Sequence, residues 1–108
     1  MIDFNTIDNL IEKDIKGDLT YGEVKELIDN LGLVLGNHGD DYMCDCSNAE
    51  AYECWHFQGD DFDKRSCIYV EFDYNHAENG DRTPGAVHHI DIEEYMLVSK
   101  GLLEKRKD

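Results

Sequence analysis

The hydrophobic period of this chain changes at Gly32, ahead of a closing helical segment, and that change limits what it can fold into. Before it, apolar residues recur at three- and four-residue spacing; after it they alternate. A first helix is predicted over residues 5–16, with Phe4, Ile7, Leu10, Ile11 and Ile15 on its buried stripe and Gly17 as its left-handed stop. A second follows Thr20, because Thr20-Tyr21-Gly22-Glu23 has the form of a capping box. Leu19 and Val24 supply the accompanying hydrophobic staple, and Leu27, Ile28 and Leu31 carry the stripe to Gly32.

The alternating half reads as strands. Residues 33–35 form a short strand before a loop at 36–41, and residues 42–46 and 51–57 pair as a hairpin. The strand at 66–74 places Ile68, Val70, Phe72 and Tyr74 on one face and Cys67, Tyr69, Glu71 and Asp73 on the other. Residues 77–85 hold Asn-Gly and the only proline, which makes a loop before the last strand at 86–92. A closing helix starts with Asp91 and Glu94 at its cap, runs through Gly101 and ends with Lys105, Arg106 and Lys107. The order predicts one α+β domain spanning 1–108. Two N-terminal helices and a C-terminal one form a single layer on one face of an antiparallel sheet of about four strands.

Charge narrows the function. Between residues 37 and 94 there are fifteen carboxylates and three basic residues, so that segment carries −12 of the net −15. Phosphate backbones and anionic lipids repel such a chain, which excludes direct nucleic-acid and membrane-surface binding. The acids along the second helix exclude helix-turn-helix DNA recognition in the same way. No apolar run approaches the ~18 residues of a membrane span and no leader pattern precedes residue 5, which predicts the bacterial cytoplasm. In that compartment Cys44, Cys46, Cys54 and Cys67 are reduced thiols.

Four chemistries deserve a test against the residues. Cys44, Cys46, Cys54 and His56 would hold zinc if the hairpin were symmetric and set Cys44 opposite Cys54. Their one-residue spacing lacks the usual knuckle, so packing thiols are the simpler expectation. His88 and His89 point to opposite faces of a regular strand, one buried and one exposed, and converge only across a bulge. The acids at 60–63 lack the alternation, glycine and terminal glutamate of a calcium loop. No nucleophile motif or phosphate-binding glycine loop is present, so the chain is expected to be neither an enzyme nor a cofactor protein.

What remains is the acidic surface. Glu71 and Asp73 lie two residues apart on one strand face, roughly 6.8 Å along it, which is of the order of the phosphate spacing on a nucleic-acid strand. Asp40, Asp41, Asp60, Asp61 and Asp63 add charge from loops, and Tyr42, Tyr52, Trp55 and Tyr69 supply aromatic anchors. In size and charge the chain resembles anti-CRISPR and anti-restriction proteins, small phage-encoded DNA mimics. The resemblance implies an inhibitor that fills the basic nucleic-acid channel of a host nuclease or CRISPR effector complex. An immunity protein neutralising a basic toxin nuclease is the second expectation. Tyr69 beside Glu71 and Asp73 also leaves a homodimer interface open.

Overall fold

The computed structural model describes residues 2–40 and 49–104. The expected strand at 42–46, with Asp41, Cys44 and Cys46, lies outside them, as do Lys105, Arg106 and Lys107. Element order is α1 (Phe4–Lys16), α2 (Tyr21–Leu31), β1 (Val34–Asp40), β2 (Ala51–His56), β3 (Ile68–His76), β4 (Arg82–Ile92) and α3 (Glu94–Ser99). The strands form one antiparallel sheet in the order β1-β2-β3-β4. The α+β architecture expected from the change of period is the one found. No helix among the described residues is long and apolar enough to cross a membrane.

Local chemistry starts α2 at Thr20 and stops α1 and α2 at Gly17 and Gly32 as expected, and it adds an unexpected cap at Asp3. Asp3 caps α1 by accepting the Thr6 N–H at 2.9 Å, and the Glu23 carboxylate accepts the Thr20 N–H and hydroxyl at the start of α2. Gly17 and Gly32 end them in the left-handed region. Ile7, Leu10, Val24, Leu27 and Ile28 then pack on Ala51, Trp55, Ile68, Val70, Phe72, Val87 and Ile90, the helix-facing set of the sheet. Leu97 and Leu103 close the core from the C-terminal segment. Beside β4, the Val87 N–H donates to Leu19 O, which ties the α1–α2 link to the sheet edge.

Five expectations change. Ile11 and Ile15 are 39% and 81% exposed, because the buried stripe of α1 runs through Ile7, Leu10 and Asp14 instead. Residues 36–40 are strand rather than loop. Their glycines answer to neighbours on β2: a Cβ at Gly39 would lie 2.7 Å from the Tyr52 ring, and one at Gly36 would lie 2.6 Å from the His56 ring. Cys67 precedes β3 and is 1% exposed in the core, instead of lying outward with Tyr69. β4 begins at Arg82, so the loop at 77–85 shrinks to a tight hairpin, and Pro84 is accommodated on an edge strand. Finally, α3 stops at Ser99 with Glu93 at its cap, Asp91 belongs to β4, and Gly101 has φ +74 just beyond the end.

Candidate functional site

The helices cover one face of the sheet, so the candidate site is the other. Alternation sends Tyr52, Cys54 and His56 of β2 and Tyr69, Glu71 and Asp73 of β3 to this face. On β4 the ladder pairs Glu71 with His89 but Phe72 with Val87, leaving His88 as an extra residue. This bulge turns both histidines to the same face: His88 Nε2 lies 2.5 Å from Asp73 Oδ2, and the His89 ring stands edge-on to Tyr69. Both are exposed, where one buried and one exposed had been expected.

The centre of the face is aromatic. Tyr52 and Tyr69 stack with centroids 6.2 Å apart, and the Tyr69 hydroxyl donates to Glu71 Oε2 at 2.9 Å. Glu71 is 4% exposed, since its ladder neighbours are Tyr52 and His89 and Tyr69 bends over it. The outward Glu71–Asp73 ladder expected from alternation therefore does not reach solvent at Glu71. Asp73 is half-buried, accepting the Glu50 N–H at 3.2 Å besides meeting His88. Glu50 in turn meets His76 Nε2 at 2.9 Å.

Of the other expected acids, Asp40 lies at one end of the sheet and Asp60, Asp61 and Asp63 at the other, while Asp41 is outside the described residues. Asp40 closes β1 opposite Ala51, at the end shared with Glu50 and Asp73. Asp60, Asp61 and Asp63 sit on the β2–β3 connection at the other end, roughly 17 Å away along β2. Asp60 is 3.3 Å from Lys100, whereas Asp61 and Asp63 are exposed without an ion pair among the described residues. The loop is shaped by the Asp63 N–H donating to Asp61 Oδ1 at 2.9 Å.

At that same end a cleft of about 320 Å³ is walled by Cys54, His56, Phe62, Ser66 and Tyr69. Arg65 at its rim is held by Asp91 at 2.9 Å and by Glu93. Burial pushes the Cys54 thiol up, opposed by its hydrogen bond with Ser66. The symmetric hairpin assumed for zinc is not the pairing found: β2 pairs with β1, so Cys54 faces the irregular step at Gly36 and Asn37, while Cys44 and Cys46 lie outside the described residues. Among the described residues no three of His, Cys, Asp and Glu gather to hold a metal. Comparison with known proteins found no family model, no curated protein and no solved structure that matches the chain.

Two polar positions escaped the sequence reading. Glu53 faces the helices in phase with Ala51 and Trp55, accepting the Tyr21 hydroxyl at 2.6 Å and the Trp55 indole N–H at 3.0 Å. The alternation itself carried that signal. Asp14 lies seven and four residues after Ile7 and Leu10, on the buried stripe of α1, and its Oδ1 is buried without a hydrogen-bond partner among the described residues. Burial raises its carboxyl, opposed by nearby His89 and by a hydrogen bond from the Ile90 N–H.

Proposed function

We propose that this protein is an acidic protein–protein inhibitor that docks its helix-free sheet face onto a basic host nuclease, such as a CRISPR or restriction effector, in the bacterial cytoplasm. The observation that supports it is the stacked Tyr52–Tyr69 centre between two acidic ends of one open face, on a chain of net charge −15. Aromatic anchors ringed by charge suit a protein partner, and the charge steers a cationic surface toward it. Asp61 and Asp63 at one end and Asp73 at the other take the place of phosphates in the partner's channel. Asp40, Asp41 and Asp60 reinforce the field. Glu71 acts through Tyr69, as a positioning residue beneath the aromatic centre.

The test is a tagged pull-down from bacterial lysate at low salt, eluted with high salt and read by mass spectrometry. A basic nuclease is expected, with target DNA competing for it. The double variant Asp61→Lys/Asp63→Lys should lose at least tenfold in association rate with unchanged circular dichroism. Undiminished binding by that variant overturns the acidic docking. The aromatic centre also favours a second reading, an immunity protein that grips a toxin nuclease beside its active site. Inhibition that DNA does not compete away selects that reading.

A further inference from the structure

We infer that the cleft at the β2–β3 end is a soft monovalent metal site, holding one cuprous ion between Cys54 Sγ and His56 Nε2. The two residues are separated by one position on β2, so both project to the helix-free face and both line the same cleft. His56 is 3% exposed, yet its Nε2 has no hydrogen-bond partner among the described residues. A buried ring nitrogen in that condition is rare and costly, and a coordinated ion would satisfy it. The ring is fixed by Phe62, stacked at 4.6 Å. A Cβ at Gly36 would lie 2.8 Å from Nε2, so glycine at this position keeps side-chain atoms off that nitrogen.

Donor chemistry selects the ion. Thiolate and imidazole are soft or borderline donors, which suit Cu(I) and zinc over magnesium or calcium. Zinc asks for four ligands, and the described residues bring no third donor: Asp91, the carboxylate on this wall, is engaged by Arg65. Cuprous ion accepts two. Lys64 and Arg65 at the mouth oppose a divalent cation more than a monovalent one, while the net charge of −15 concentrates cations near the surface. On binding, the Cys54 thiol releases its proton to solvent as the S–Cu bond forms. The Nε2 lone pair completes the pair of bonds, and no electron is transferred.

The experiment titrates the reduced Cys44→Ser/Cys46→Ser protein with cuprous ion against a chromophoric Cu(I) chelator. One equivalent is expected, with one sulfur and one nitrogen neighbour in X-ray absorption. Adding Cys54→Ser should weaken binding at least a hundredfold, whereas adding Cys67→Ala should change it less than twofold. In the unmodified protein, silver ion added as a diamagnetic substitute should shift the His56 Nε2 resonance. No uptake by the Cys44→Ser/Cys46→Ser protein, equal uptake without Cys54, or a stationary Nε2 resonance overturns the site.

Discussion

Gly36 illustrates how one atom decides an environment. A methyl group there meets the His56 ring at 2.6 Å, and the ring is already stacked on Phe62. Gly36→Ala is therefore expected to cost about 1–3 kcal/mol in chemical denaturation. Asp14 tests the opposite sign. Its folded carboxyl is raised above the ordinary 3.8 by burial, so the unfolded chain gives up its proton first and the ionised form weakens folding at neutral pH. Asp14→Asn retains an oxygen for the Ile90 N–H and should raise the melting temperature at pH 7, with the gain fading as pH falls through the folded value. Cys67 works at the alkaline end. Burial, with Glu93 and Asp60 nearby, pushes its thiol from 9.0 up to about 12. Between those values the unfolded chain has lost a proton that the folded chain keeps, so stability falls as pH rises. Thermal melts of Cys67→Ala against the parent should lose that part of the decline.

At the scale of elements, the ends of helices and the irregularities of strands carry the information. Gly101 was expected inside the closing helix, where Ala would stabilise by about 1 kcal/mol. At φ +74 it instead terminates α3, and Gly101→Ala should destabilise by about 1 kcal/mol. The sign of that change in a urea titration separates the two placements. The bulge at His88 matters in the same way, because one extra residue brings a second imidazole onto the helix-free face beside Asp73. The α2 cap and the stops at Gly17 and Gly32 were legible because they depend on residues within one turn of each other. The extension of β1 over residues 36–40 was not, since Gly36 and Gly39 gain their place from rings on β2.

For the whole molecule, a net charge of −15 on 108 residues means that folding confines strong self-repulsion. Raising the salt concentration from ~10 to ~150 mM shortens the Debye length from about 30 to about 8 Å. The melting temperature should rise over that range, while a fall would give the surface ion pairs the larger part. The same screening should slow association with a basic partner, which stopped-flow mixing at several salt concentrations would read.

What depends on near neighbours and on sums was legible in the chain itself: the change of period, the two N-terminal helices with the cap at Thr20, the α+β class and the charge. Tertiary structure alone decided which acids reach solvent. Glu71 and Asp73 alternate alike, yet Glu71 is buried by Tyr52 and His89 from two other strands. It also decided that β1 pairs with β2, and that Cys54 and His56 share a cleft with Phe62. Period-two patterning assigns a face, but register and the reach of cross-strand side chains assign the neighbours, and those are set by residues far apart in the chain.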